Sequence, residues 1–124
     1  MILTNNEIYN YASALSAEFG PNCEIKFPVK INFFLQKNIQ LLTSLAGDID
    51  RARISIAQQN GVLNEDGSAY TIPPEKIPEV SMELEELFAI EQEVNIRQFS
   101  INDFNNIELT YKQMNALMFM IKDE

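Results

Sequence analysis

Carboxylates are the most frequent reactive side chains in this chain, and several follow one another at helical spacing. Four acids are separated by four, four and three residues, which places them on one helix face. We call them the acidic stripe: Glu75, Glu79, Glu83 and Glu86. Carboxylate pairs can perform glycosidase-type acid–base chemistry, but a regular row of acids is also typical of a solvated surface. Carboxylates about 6 Å apart along a helix also imitate a row of phosphates and would fit another protein's basic nucleic-acid channel.

The negative charge of the sequence is unevenly distributed. The net charge is −9, and residues 65–93 hold nine acids and one base, a net charge of −8, whereas the rest holds nine acids and eight bases. Such a field repels nucleic acids and anionic membranes and attracts basic surfaces. The sequence therefore predicts a protein partner with a basic surface, contacted by Glu79, Glu83 and Glu86, and neither direct nucleic-acid binding nor membrane binding.

The residue types that most enzymes need are scarce. The chain has no His, which removes the commonest general base, the His-dependent triads and the usual zinc ligand. Cys23 is the single cysteine, and the adjacent Glu24 disfavours a reactive thiolate. No Gly-rich phosphate loop follows a predicted strand. We therefore predict a protein that is not an enzyme and that has no cofactor.

One loop has the spacing of a calcium site. Asn64, Asp66, Ser68 and Glu75 occupy relative positions 1, 3, 5 and 12, where calcium loops place their ligands. Position 6 is Ala69 instead of the required Gly, and two prolines precede the last acid. We therefore favour a structured connector over a metal site, in which an Asp-Gly turn joins two short strands as a hairpin.

A long predicted helix leads into this connector. It begins at Pro28 and ends near Gln59, a length of roughly 45 Å. Apolar residues repeat along it at alternating spacings of four and three, as in a coiled coil. This heptad stripe comprises Ile31, Leu35, Asn38, Leu42, Leu45, Ile49, Ala52 and Ile56. The Asn within it either fixes the register or oligomeric state of helices or is a hydrogen-bonded polar group in the core.

A third predicted helix begins at Glu75 and is expected to fold back antiparallel on the long helix, because the connector between them is short. Its inner apolar stripe comprises Ile77, Val80, Leu84, Leu87 and Phe88. We expect this helical hairpin to form the main core. The sequence thus predicts one domain, residues 1–124, of the mainly α (α+β) class, with a long antiparallel helical hairpin, flanking N- and C-terminal helices and a small β-sheet.

Capping sequences define the two flanking helices. Thr4 with Glu7, and Thr110 with Gln113, have the spacing of a capping box. The first helix has one apolar face, formed by Ile8, Ala12, Leu15 and Phe19. The last is expected to turn a different set inward, namely Tyr111, Met114, Leu117, Met118 and Ile121. Short extended runs at residues 1–3, 94–101 and 107–109 predict the small sheet.

Two helices carry more apolar residues than one small core needs. Phe33 and Phe34 on the long helix, and Phe119 and Met120 on the last one, widen the apolar arcs, and large exposed apolar patches usually mark interfaces. We therefore predict self-association, with Phe119 and Met120 among its contacts. The alternative is that all four side chains lie inside the core.

The sequence also suggests a cellular location. No apolar run approaches about 18 residues, and no signal peptide is evident at the N-terminus. A single cysteine cannot form an internal disulfide, which fits a reducing compartment. We therefore expect a cytoplasmic protein.

Four segments carry a resemblance to known proteins: LTNNEIYNYA, FPVKINFFLQKN, LEELFAIEQEVNIRQFSI and LTYKQMNALMFMI. In them the chain resembles a group of small acidic proteins encoded by phages and prophages of low-GC bacteria. The resemblance covers most of the chain but includes no chemical motif, so it assigns no functional residues. It implies a phage or prophage origin and action by binding.

Two functions are compatible with these features. The first is a non-enzymatic phage accessory protein that binds and inhibits a host protein, such as a defence or nucleic-acid enzyme, through its acidic surface. The second is a virion or assembly component that acts by self-association through its apolar arcs. The first places the protein in the host cytoplasm, and the second places it in the virion.

Overall fold

One long helix, α2 (Val29–Asn60), supports the other elements in the computed structural model, which describes residues 1–21 and 23–122. Pro28 precedes it as the N-cap, where a fixed φ and a missing N–H cost nothing. The predicted bounds of this helix, Pro28 and about Gln59, agree with the observed ones to within one residue. The heptad stripe faces the interior: its first four members and Ile49 are buried, and the remaining three are half-buried.

Helix α1 (Asn5–Glu18) is the main partner of α2. Its predicted capping box is present, with the Glu7 N–H donating to the Thr4 hydroxyl and the Glu7 carboxylate accepting from the Thr4 N–H. The predicted apolar face is buried, and Ile8 and Leu15 are fully enclosed. The expectation that α2 and the third helix form the main core is wrong, because α1 supplies most of the side chains that cover α2.

Helix α3 (Ile77–Ala89) packs on the second half of α2 and runs antiparallel to it, as predicted. Its middle lies at the end of α2, where Asn60 Nδ2 donates to Glu83 Oε2 at 3.3 Å. Its last turn lies near α1, where Phe88 contacts Tyr9 edge-on. Only Val80 of the predicted inner stripe is buried, whereas Ile77 is exposed. α3 is therefore a peripheral helix, which begins after a 3-10 turn at Pro74–Lys76.

Within residues 1–21 and 23–122, short strands pair in three separate places instead of forming the one predicted sheet. β1 (Ile2–Thr4) lies antiparallel to β4 (Glu91–Glu93). β2 (Val62–Leu63) and β3 (Tyr70–Thr71) form the predicted hairpin, and Gly67 at its turn has a φ of 73°, which Gly adopts without Cβ strain. β5 (Phe99–Ser100) lies parallel to β6 (Ile121–Lys122). Residues 107–109 do not form the predicted strand and connect directly to the next helix.

Helix α4 (Tyr111–Leu117) begins at the predicted Thr110–Gln113 capping box and continues as a 3-10 turn, Met118–Met120. In a 3-10 turn, residues three apart eclipse each other, so Met120 is turned inward behind Leu117 and Met118 is turned outward. The predicted inward positions Tyr111 and Met118 are therefore wrong, since both are exposed. Taken together, the elements confirm the mainly α (α+β) class.

Two buried asparagines connect distant segments. Asn5 Nδ2 donates to the Leu87 carbonyl at the end of α3 at 2.8 Å, and Gln92 Nε2 donates to Asn5 Oδ1 at 2.6 Å. The last carbonyls of a helix lack their usual intrahelical partners, and the Leu87 carbonyl also accepts a long bond from the Ile90 N–H at 3.4 Å. The shorter bond from Asn5 therefore lets α1 hold the end of α3 in place. Asn38 is the second such residue, and it lies in the first half of α2.

Among the described residues, no helix is long and apolar enough to cross a membrane.

Candidate functional site

The structure separates the acidic stripe into exposed and half-buried members. Glu75, Glu79 and Glu86 are exposed, as the stripe predicted. Glu83 is half-buried and accepts the hydrogen bond from Asn60. Glu83 therefore holds α3 against the end of α2, and its replacement would disturb the fold as well as the surface.

An exposed methionine lies among the acids of α3. Met82 is 60% exposed, and Glu79, Glu85 and Glu86 are three or four residues from it, so their side chains are its helix neighbours. We call these four residues the acidic face. No described cation lies within ion-pair distance of its carboxylates. The face thus combines uncompensated charge with apolar surface, which interfaces commonly do.

The two apolar residues predicted to contact a partner have different surroundings. Met120 is 0% exposed, and Asn38 Nδ2 approaches its sulfur at 3.5 Å. Its assignment as a contact residue is therefore wrong, because the 3-10 turn directs it into the core. Phe119 is half-buried, with its ring stacked on Tyr11 at 3.9 Å between ring centroids and an interplanar angle of 3°. A partner has access to only part of that ring.

The oxygens of the loop with calcium-like spacing are hydrogen-bonded within the hairpin. Asp66 Oδ1 accepts from the Ser68 N–H at 3.1 Å and from the Ser68 hydroxyl at 2.7 Å. These bonds stabilise the carboxylate, so they lower the pKa of Asp66. Asn64 Oδ1 accepts from the Thr71 hydroxyl at 2.6 Å. Asn64, Asp66 and Ser68 therefore shape the turn and its strands, as the connector interpretation requires, whereas Glu75 lies outside the hairpin in the 3-10 turn Pro74–Lys76.

An open groove of about 930 Å³ lies beside the first half of α2, and the sequence analysis did not predict it. Its lining includes Phe34, Lys37, Gln40, Arg97, Gln98 and Lys122. No described acidic residue lines this cationic groove. Asp103 is in the small pocket next to it, where it accepts a hydrogen bond from the Ser100 N–H at 3.0 Å.

Asn38 fixes one side of the cationic groove to the other. Its Nδ2 donates to the Arg97 carbonyl at 2.9 Å, and its Oδ1 accepts from the Arg97 N–H at 3.0 Å. The side chain is 2% exposed, so these two bonds satisfy it inside the core. Of the two interpretations of this Asn, the structure shows the satisfied polar group, and its partner is an extended segment of the same chain.

Aromatic rings support the cations of the groove. The Arg97 guanidinium lies over the Phe34 ring at 4.5 Å from its centroid, and Lys37 Nζ lies 5.3 Å from that of Phe33. Cation–π contacts leave the hydrogen-bond donors at the edge of a guanidinium available. Within residues 1–21 and 23–122, neither cation has a carboxylate within ion-pair distance. The groove can therefore bind a carboxylate or another anion.

Sequence reasoning missed the groove because its members lie far apart in the chain, from residue 34 to residue 122. The one signal in the sequence was Asn38. A polar residue in an apolar stripe requires a buried partner. Here that partner is the Arg97 backbone, so Asn38 positions Arg97 in the groove. The nature of the partner depended on the path of residues 94–98, which no local pattern fixes.

Comparisons with protein families, curated proteins and solved structures found no match for this chain. The assignment of a function therefore depends on the acidic face, the cationic groove and the residues that position them.

Proposed function

We propose that the protein acts by binding another protein through the acidic face of α3, and that it is a non-enzymatic accessory protein of a phage or prophage that inhibits a host protein. The observation that carries the proposal is the exposure of Glu79, Glu85 and Glu86 around Met82. The acids attract a basic surface at long range. The methionine adds a flexible apolar contact once the two surfaces meet.

The position of α3 supports this role. Its inner side is anchored by Val80, by the Asn60–Glu83 hydrogen bond and by the bond from Asn5 to the Leu87 carbonyl. The acidic face is on the side that these anchors leave exposed, so it can be covered without rearranging the core. A host enzyme that binds nucleic acid presents a basic channel, and the acidic face matches the charge of such a channel.

The direct experiment is capture from a lysate of a low-GC bacterium with three forms of the tagged protein. The test variant is Glu79→Lys/Glu86→Lys, which changes the net charge by +4 and leaves Glu83 in place. Its matched control is Glu24→Lys/Glu108→Lys, which makes the same change at exposed positions outside the acidic face. The proposal predicts a host protein that the wild type and the control retain and the test variant loses.

The captured protein is then assayed with and without the purified wild type. Inhibition by the wild type and the control, and a slower association rate for the test variant, are the expected results, because charges at the rim of an interface mainly steer encounter. Equal capture by all three forms would mean that the acidic face is an ordinary solvent-exposed surface and does not bind the host protein. Capture without any loss of the host protein's activity would remove the inhibitory role.

The second candidate is a virion or assembly component that acts by self-association, and a specific observation favours it. Large apolar side chains remain exposed at the start of α2, where Val29 and Phe33 lie one turn apart. Phe33 also contacts Lys37 Nζ, which lines the cationic groove, and the charge of that groove is opposite to that of the acidic face. Purification of assembled particles with the protein bound would support this role.

A further inference from the structure

The function proposed above leaves the cationic groove without a role, although its lining defines the chemistry of a ligand. Lys37 and Arg97 supply positive charge, Gln40 and Gln98 supply amides, and Phe34 supplies an apolar surface. A segment that displays carboxylates next to an apolar side chain matches each of these groups. A helix with acids around an exposed methionine is such a segment.

We propose that the groove binds the acidic face of a second copy of this chain. Residues 65–93 carry a net charge of −8 and include the acidic face. The groove contains no described acid, so the two surfaces are complementary in sign. The inference rests on the proposed function in one respect: the acidic face is a binding surface in both.

The two surfaces also agree in length. The side of the groove that α2 forms extends from Phe34 to Leu41, which is about 10 Å along the helix. Glu79 and Glu86 are likewise seven residues apart, about 10 Å along α3. The acidic face of one copy can therefore lie along the groove of another, with its carboxylates opposite Lys37 and Arg97 and with Met82 near the Phe34 ring.

One molecule cannot make this contact with itself. The groove is fixed at Asn38 by its bonds to Arg97, whereas α3 is fixed at Asn60 by its bond to Glu83. These two positions are about 33 Å apart along the rigid α2 helix. The groove and the acidic face can meet only between molecules, as a contact between two different surfaces that can close into a ring or extend as a chain.

The net charge of −9 opposes the approach of two copies. The contact therefore depends on short-range pairing, in which the carboxylates meet cations already held against aromatic rings. We expect association that strengthens with concentration and that is detectable by sedimentation up to about 1 mM, the range of weak complexes. It should produce species heavier than 14.2 kDa.

Two complementary variants test the pairing. Glu79→Lys/Glu86→Lys makes the acidic face basic, and Lys37→Glu/Arg97→Glu makes the groove acidic. Each variant alone faces like charge at the contact, so each should associate at least about tenfold more weakly than the wild type. Mixed together, they should associate again, because the basic face of one variant then meets the acidic groove of the other.

Matched controls separate this contact from a general effect of charge. Lys26→Glu/Lys112→Glu changes the net charge as the groove variant does, but at exposed positions outside the groove. It should associate like the wild type. If Lys37→Glu/Arg97→Glu is not folded by circular dichroism, Lys37→Glu/Gln98→Glu replaces it and keeps Arg97 over Phe34. That variant should also lose association alone and regain it in the mixture.

Three results would overturn the proposal: a single 14.2 kDa species up to about 1 mM, association that both variants retain, or a mixture that remains monomeric. These results differ from failure of the proposed function. A monomeric wild type that still captures a host protein through Glu79 and Glu86 contradicts only the self-contact. A chain that associates as expected but captures no host protein contradicts only the inhibitory role.

Discussion

The two halves of α2 are covered in different ways. Along the first half and the middle, α1 packs closely, and Ile8, Leu15, Leu35 and Leu42 are completely enclosed. Along the second half, α3 contributes one buried side chain, Val80, which is 8% exposed. The stripe residues of α2 beneath α3, such as Ala52 and Ile56, are only half-buried.

This difference separates stability from binding. Buried apolar area is the main source of folding free energy, so the α1–α2 half provides most of it. The α3 half instead presents charge and exposed apolar side chains, and hydrogen bonds from Asn60 and Asn5 hold it in place. Regions with few buried contacts open at lower free energy than the core does. The helix that carries the acidic face can therefore adjust to a partner while the core remains intact.

The largest expected effect is a cavity in the α1–α2 half. Leu42→Ala removes a fully enclosed side chain and should lower the free energy of unfolding by about 2–5 kcal/mol. Leu84→Ala removes a half-buried side chain of α3 and should cost about 1 kcal/mol. Urea denaturation of both variants measures the contrast. Equal losses would show that the two halves contribute alike.

The second prediction concerns the polar connection between α2 and the extended segment. Asn38→Ala leaves both backbone groups of Arg97 without their partners, which should cost about 1–3 kcal/mol. Gln40→Ala is the matched control on the same helix, at an exposed position, and should change stability by about 0.5 kcal/mol or less. A loss for Asn38→Ala no greater than that of the control would mean that the segment is held by other contacts.

Local chemistry accounts for what the sequence predicted correctly. The capping boxes at Thr4 and Thr110, the proline at the start of α2 and the Asp-Gly turn each depend on residues within a few positions of one another, so the bounds of those elements were predictable. The heptad stripe identified the buried side of α2, but it carried no information on which helix covers it. Several helices have an apolar stripe that could pack there, and in the structure α1 covers most of the heptad stripe of α2.

Long-range contacts account for what the sequence did not predict. Two of the strand pairs join segments that are far apart in the chain, as in Leu3 with Gln92 and Phe99 with Ile121. The inward rotation of Met120 depends on a single 3-10 turn, and no helical period indicated that turn. For the site, the exposure of Glu79 and Glu86 followed from periodicity, whereas the bond that half-buries Glu83 and the whole of the cationic groove depended on tertiary packing.

A smaller effect separates the anchoring acid of α3 from the acids of the acidic face. Glu83→Ala removes one of the two acceptors of Asn60 Nδ2, at 3.3 Å, and leaves the Ile56 carbonyl as the other; the loss should cost about 1 kcal/mol. Glu79→Ala removes an exposed carboxylate and should change stability by about 0.5 kcal/mol or less. Thermal or urea unfolding measures both. A cost for Glu79→Ala equal to that for Glu83→Ala would place both acids in the same role.

The smallest expected effect is a dependence on alkaline pH in the α1–α4 contact. Burial raises the pKa of Tyr11 above its ordinary value of 10.0, and the nearby Glu7 carboxylate raises it further. The folded state therefore holds the phenolic proton more tightly than the unfolded state does. The resulting stability is complete below pH 10.0 and is lost as the pH rises through the higher pKa of the folded state.

Tyr11→Phe tests this dependence, because it keeps the ring that stacks on Phe119 and removes the titrating hydroxyl. The free energies of unfolding of the wild type and the variant are compared at about pH 8 and about pH 11, on either side of the tyrosine range. The wild type should lose more stability than Tyr11→Phe over that interval.

Tyr111→Phe, which alters an 82% exposed side chain, is the matched control and should behave as the wild type does. Identical losses in all three proteins would mean that Tyr11 titrates alike in the folded and unfolded states. The alkaline loss would then come from groups outside the α1–α4 contact.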